Sequence, residues 1–216
     1  MPEGTLEALK WLALILMTLD HINTFLFART LPGAYEAGRI AMPLFSFVLG
    51  YNLARPDAWQ NGLYIRTMKR LAVFGVLATP FFIGLANLPG GWRPLNILFT
   101  FLVATATIAF VERGGAGPYA AAAAVFVAGG AIVEYSWCGP LLCASAWLYS
   151  RMPGKPALML LAAATMLLYV VNQNFWALAA LPIILAAPTL HLRMPRIRYA
   201  FYIYYPAHLG ILYMLD

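Results

Sequence analysis

Charge is scarce in this chain. Asp, Glu, Lys and Arg make up 10% of its 216 residues, where soluble domains carry about a quarter. With 62% hydrophobic residues, a water-soluble fold of this length has too little interior to hide its apolar surface, whereas a bilayer is itself the solvent for it. Cysteine is nearly absent. Cys138 and Cys143 flank Gly139 and Pro140, a spacing that excludes a disulfide framework and a zinc site, and no metal is expected. A basic leader and a small-residue cleavage site are both missing, so the first apolar stretch is expected to remain as a span rather than to be removed as a signal peptide. No internal repeat and no long linker appear, which argues against a repeat-built transporter and for one domain over 1–216. The net charge of +6 comes without a basic stripe interleaved with aromatics, so no nucleic-acid partner is expected.

What is present is segmented hydrophobicity. Most apolar runs are about 17–25 residues long, the length that crosses a bilayer as a helix, and they lack the alternation of barrel strands. The fold is therefore predicted to be all-α, a polytopic membrane bundle of about nine helices. The segments are 6–27, 38–54, 65–86, 95–111, 119–133, 138–149, 157–171, 175–190 and 199–215, with 138–149 short enough to be tilted or re-entrant. Turn residues punctuate them at Leu31–Pro32–Gly33, Pro56–Asp57, Pro89–Gly90–Gly91, Gly114–Gly115, Pro153–Gly154 and Pro195. Nine spans put Lys10, Arg55, Arg66, Lys69, Arg70, Arg113, Arg151, Lys155, Arg193, Arg196 and Arg198 on one side, and only Arg29, Arg39 and Arg93 on the other. The positive-inside rule then sets the N-terminus in the cytoplasm and the C-terminus outside.

Polar side chains inside such segments are costly and mark function. The first segment carries Asp20 and His21 after the run Trp11–Leu19. An imidazole beside a carboxylate suits a general base, since the carboxylate stabilises the imidazolium that forms. Lys10 lies eleven residues earlier, nearly on the same helical face and ~16 Å away along the axis. A cation near the cytoplasm and a base deeper on the same wall suit a long anionic donor. In the second segment Arg39, Pro43, Ser46 and Gly50 share a face. Arg39 is a candidate partner for Asp20 or for a developing oxyanion, Pro43 is expected to kink the helix, and Gly50 permits close approach. Arg66, Lys69 and Arg70 are either the positive-inside signal or a cradle for donor phosphates. Glu134 sits in an outer turn as a second carboxylate over the cavity, while Asn172–Gln173–Asn174 reads as an ordinary turn. In the last segment Tyr204 and Tyr205 precede His208 by four and three residues, so both fall near its ring.

Four stretches resemble the TraX family: Lys10-Trp-Leu-Ala-Leu-Ile-Leu-Met-Thr-Leu-Asp20-His21-Ile22, Gly38-Arg39-Ile-Ala-Met-Pro43-Leu-Phe45-Ser-Phe47, Glu134-Tyr135-Ser-Trp137-Cys-Gly139 and Tyr202-Ile-Tyr204-Tyr205-Pro206-Ala-His208-Leu209. They run in order along essentially the whole chain. The resemblance implies a multi-pass protein of the bacterial inner membrane that N-acetylates a conjugative pilin, with acetyl-CoA as donor. TrbP-type relatives imply pilin maturation of another chemistry, cleavage or cyclisation, with Ser46 as a conceivable nucleophile. A non-enzymatic pilin chaperone is the remaining alternative. The Lys10–His21 spacing also resembles that of multi-pass acyltransferases acting on surface sugars. On this reading His21 is the base, Asp20 supports it, and Arg39 or His208, with Tyr205, steadies the oxyanion. Glu134 overlooks the site, and Lys10, Arg66, Lys69 and Arg70 face the donor's phosphates.

Overall fold

The computed structural model describes residues 1–86, 88, 91–195, 197 and 199–215. Arg196 and Arg198 of the basic count, and Pro89 and Gly90 of the punctuation, lie outside the described residues. The described chain is helical, with no strand. In order the elements are α1 (Glu3–Phe25), α2 (Pro32–Gly38), α3 (Ala41–Leu53), α4 (Leu63–Ala86), α5 (Ile97–Arg113), α6 (Ala116–Gly130), α7 (Cys138–Arg151), α8 (Lys155–Leu167), α9 (Tyr169–Asn172), a 3-10 turn (Trp176–Ala179), α10 (Ala180–Ala186), a second 3-10 turn (Ala187–Thr189) and α11 (Ala200–Leu215).

Helical stretches thus occupy each of the nine predicted apolar segments, with differences that have local causes. The Leu31–Pro32–Gly33 turn continues into α2, where Pro32 opens the helix; its fixed φ suits that position and its missing N–H is one a first turn leaves unpaired anyway. Pro43 does not kink α3. It falls in the first turn, two residues after Ala41, where no helical hydrogen bond is lost. The eighth segment is a 3-10–α–3-10 succession rather than one helix, and it contains Pro182 and Pro188. Among the described residues, two helices are long and apolar enough to cross a membrane, Leu63–Ala86 and the α8–α9 pair Lys155–Asn172. α1 has the length, at 23 residues, but carries Glu3, Glu7, Lys10 and Asp20.

α3 stands at the centre. It packs along α1 on one side and α7 on the other, and α5, α10 and the first 3-10 turn also touch it. Gly50 makes the α3–α7 approach possible, since a Cβ there would meet the backbone at Ala146 and Trp147. Around this axis α4 packs with α5 and α11, and α5 with α6. Leu44, Ala104, Leu142 and Cys143 are buried at the junction, and both cysteines are free, buried thiols. The outer faces are apolar too. Ile65, Val73, Val76 and Leu77 on α4, Met159, Leu160 and Met166 on α8, and Ile203, Ile211 and Met214 on α11 are all exposed.

One non-helical feature positions side chains. The turn after α6 pairs with Leu95, two residues before α5: Leu95 N–H donates to Ile132 O and Glu134 N–H to Leu95 O, each at 2.8 Å. Tyr135 and Ser136 come next, with positive φ of 61° and 47°. Non-glycine residues rarely adopt that conformation, and such strain collects at functional sites.

Candidate functional site

α1 and α11 bring the two histidines together. His21 Nδ1 and His208 Nε2 are 2.7 Å apart, with the rings nearly coplanar at 7°. His208 Nδ1 lies 3.0 Å from the Tyr204 backbone oxygen, one turn back on α11. A carbonyl oxygen can only accept, so that Nδ1 carries a hydrogen. With both rings neutral, His208 Nε2 is then an acceptor, His21 Nδ1–H donates to it, and His21 Nε2 is left with a free lone pair. The backbone of α11 thereby fixes the tautomer of a base on α1, a role a carboxylate usually fills. Around the pair, Tyr204 stacks on His208 at 5.1 Å and Tyr205 meets it edge-on at 5.5 Å. The Tyr204 hydroxyl is 2.8 Å from Thr18 Oγ1.

Asp20 is hydrogen-bonded to Arg39 and not to His21. Its Oδ2 accepts from Arg39 Nη2, a pair in which both side chains are largely buried. The reason is geometric: neighbours on a helix point about 100° apart, so Asp20 faces the α2–α3 junction while His21 faces α11. Gly38 permits the contact, because a Cβ there would collide with the Asp20 side chain. Arg39 is held further by Nε donating to Tyr35 O (3.2 Å) and Nη1 to Asn172 Oδ1 (3.4 Å), and it lies over the Tyr35 ring at 4.4 Å. The Tyr35 hydroxyl donates to Asn172 O at 3.1 Å. Asn172 is therefore a buried anchor rather than an ordinary turn residue. The signal for it was its place at the end of an apolar segment, which cannot be told from a loop amide without tertiary contacts. Asn23 is also buried, and its amide bonds both the N–H and the C=O of Leu31 at 2.9 Å, which closes the loop after α1.

A cavity of about 240 Å³ links these groups to the start of the chain. Asp20, His21, Glu134, Tyr135 and Tyr205 line one part of it, Leu14, Met17, Phe45, Leu98 and Phe101 form an apolar wall, and Glu3, Glu7, Lys10, Arg70 and Phe201 line the part near the start of α1. Glu134 lies in the turn between α6 and α7, where burial pushes its carboxyl up to about 7 against the opposing pull of the Arg39 guanidinium. The cations expected to act together are divided. Arg70 lines the cavity and lies 4.9 Å from the Tyr199 ring and 5.9 Å from that of Tyr202. Lys10 lines it as well but is bound to the buried Glu7, Nζ to Oε1 at 2.6 Å. Arg66 is exposed and borders a separate polar pocket with Arg55, Asp57 and Asn61. Lys69 is exposed and lines neither. Ser46 is fully buried, and its hydroxyl faces Met42 Sδ at 3.8 Å. Glu7 and Tyr35 carried no signal in the sequence, and Tyr135 stood in a family-like stretch without a role of its own. No group of His, Cys, Asp and Glu suited to a metal ion occurs among the described residues.

A family model described as TraX protein matches residues 5–216. Two Escherichia coli proteins named Protein TraX are similar, one of them from strain K12, at 39% identity over 111 residues and 38% over 109. Each match covers 50% of this chain and 41% of the relative, so the chain spans less than half the length of these curated relatives. An uncharacterized protein of Rickettsia prowazekii, RP591, is 38% identical over 71 residues, covering 33% of this chain and 24% of its own. No solved structure matches the chain.

Proposed function

This chain belongs to the TraX family, and on that premise we propose that it is a multi-pass acetyltransferase of the bacterial inner membrane that N-acetylates a conjugative pilin from acetyl-CoA. The observation that carries the reading is the coupled His21–His208 pair on a cavity whose far part holds Arg70 and Lys10. That arrangement offers a base, an apolar passage and cations in one line. The membrane setting is supported by helical stretches in all nine apolar segments, by the apolar outer faces and by the alternation of basic residues. It is a single membrane domain of nine crossings with the N-terminus, and so the Arg70 part of the cavity, on the cytoplasmic side.

The residues present suit a donor with an anionic tail and an apolar arm. Arg70, close to the Tyr199 and Tyr202 rings, attracts the phosphates, Lys10 lines the same part but is engaged by Glu7, and Arg66 with Arg55 offers a second anion contact in the neighbouring pocket. Lys69 is left as surface charge. Leu14, Met17, Phe45 and Phe101 shelter the arm from water. His21 Nε2 takes a proton from the acceptor amine as its nitrogen forms the C–N bond to the acetyl carbon. The C–S bond breaks, and the proton passes to the leaving sulfur. His208 orients His21 and shares the charge of the imidazolium. The Tyr205 hydroxyl, with Arg39 behind Asp20, stabilises the negative oxygen that develops. The burial of Ser46 away from the cavity disfavours a serine-based cleavage or cyclisation of the pilin.

The test is the intact mass of the cognate pilin from cells with and without this protein. An acetyl-sized increment that depends on the protein is expected. Loss of water or a shortened pilin would move the chemistry to cyclisation or cleavage, and no mass difference would leave a chaperone.

A further inference from the structure

Arg39 satisfies only one oxygen of Asp20. The other, Oδ1, is buried and has no hydrogen-bond partner among the described residues, although the residue is only 8% exposed and lines the cavity. A buried carboxylate oxygen without a donor is costly, unless a ligand brings the donor. Glu134 lines the same region, and its position is set by its backbone: its N–H donates to Leu95 O, and its carbonyl accepts from Thr100 Oγ1 at 2.6 Å. The charged groups acting here are Asp20, Glu134 and Arg39, together with Arg29, an exposed cation in the loop after α1 that acts on Asp20 through space, while the Ile97 backbone N–H at the start of α5 faces Glu134. The histidines are engaged with each other, Tyr135 and Tyr205 contribute phenols, and Lys10 and Arg70 belong to the other part of the cavity. Arg29 makes no ion pair with either carboxylate, so Asp20 Oδ1 has no donor and Glu134 no ion-pair partner among the described residues.

We propose that Asp20 Oδ1 and the Glu134 carboxylate form a subsite for a primary ammonium, so that the cavity takes its acceptor as a cation rather than as a neutral alcohol or amide. An ammonium supplies both missing elements, a donor for Oδ1 and a positive charge for the pair. A hydroxyl supplies only the donor and leaves the charge uncompensated. His21, next to Asp20 in sequence and on the same cavity, takes the first proton from the bound ammonium and loses it to solvent, and its Nε2 is then free for the second proton, which it takes as the C–N bond forms and passes to the leaving sulfur. The overall change is ammonium plus thioester to amide plus thiol, with one proton released to solvent. The chemical step after binding rests on the proposed transferase function, whereas binding itself does not.

The test uses the full chain in lipid nanodiscs at pH 8 without a donor, with hexylammonium and hexanol as calorimetric probes of equal length. Hexylammonium is expected to bind at least tenfold tighter than hexanol, a gap of about 1.4 kcal/mol. Asp20→Asn and Glu134→Gln should each reduce the gap several-fold while the Kd of hexanol stays unchanged, which controls for an intact cavity. At pH 5.5, below the value of about 7 to which burial raises Glu134, the wild-type gap should shrink as that carboxylate becomes protonated. Equal binding of the two probes, or a gap that survives both substitutions, overturns the subsite. A gap without acetyl transfer to hexylamine on adding donor leaves the subsite standing and removes the transferase reading. Transfer without a gap does the reverse.

Discussion

His21→Ala is expected to lower pilin acetylation by at least a hundredfold while the protein stays folded in the membrane. The figure comes from the role. A positioned general base contributes about 10²–10⁴ in rate, and His21 Nε2 is the free nitrogen of a chain that runs from the Tyr204 carbonyl through His208. The substitution leaves the Asp20–Arg39 pair untouched, so the fold has no reason to fail. His208 tests the chain itself. His208→Phe keeps an aromatic ring against Tyr204 and Tyr205 but offers His21 no acceptor, and a loss of about a hundredfold or more is expected. His208→Gln retains an amide oxygen that can accept, and should recover part of that loss. The measurement is initial rate in purified protein, with KM for the amine recorded separately. A phenylalanine variant as active as wild type would show that His208 does not orient the base.

Arg39→Met is expected to be the most destabilising single change at the site. It leaves Asp20 ionised in a buried setting with neither oxygen hydrogen-bonded, since Oδ1 already lacks a partner. Removing one member of a buried ion pair costs about 3–5 kcal/mol, because the remaining charge is left uncompensated. The substitution also frees the Asn172 amide and the Tyr35 carbonyl from their guanidinium contacts. Pairing the change with Asp20→Asn removes the stranded charge and should restore much of the loss, and that non-additivity is the diagnostic. Thermal unfolding in detergent of the two single variants and the double variant provides the cycle. Strictly additive shifts would mean that the two side chains do not share a desolvated pair.

The nine helical stretches were legible because apolar run length and turn residues are local properties. Local too was the placing of Tyr204 and Tyr205 against His208, which needs only the helical repeat. Arg39 was one of the partners the sequence offered Asp20, and the two are paired; the partner of His21 was not legible, because adjacent residues on a helix diverge and each is claimed by a different neighbouring element. Sequence adjacency suggested a carboxylate–imidazole couple. Tertiary packing instead gave Asp20 to Arg39 and His21 to His208. The effect of Pro43 depends on where α3 begins, and the turn at Arg39–Ile40 sets that start at Ala41, which the sequence does not mark. The four basic residues assigned to the donor likewise share a stretch of sequence or a helical face, yet only Lys10 and Arg70 line the cavity. The left-handed conformations of Tyr135 and Ser136 have no sequence signal in residues that so rarely adopt them.

The most direct measurement uses the purified chain in proteoliposomes, with acetyl-CoA labelled in the acetyl group and supplied on one side at a time, and a pilin N-terminal peptide available on both. Label should appear on the peptide's amine when the donor is on the side that carries the N-terminus and the Arg70 part of the cavity, and His21→Ala should remove it. Transfer only from the opposite side would contradict the route through the cavity, and no transfer from either side would contradict the acetyltransferase itself.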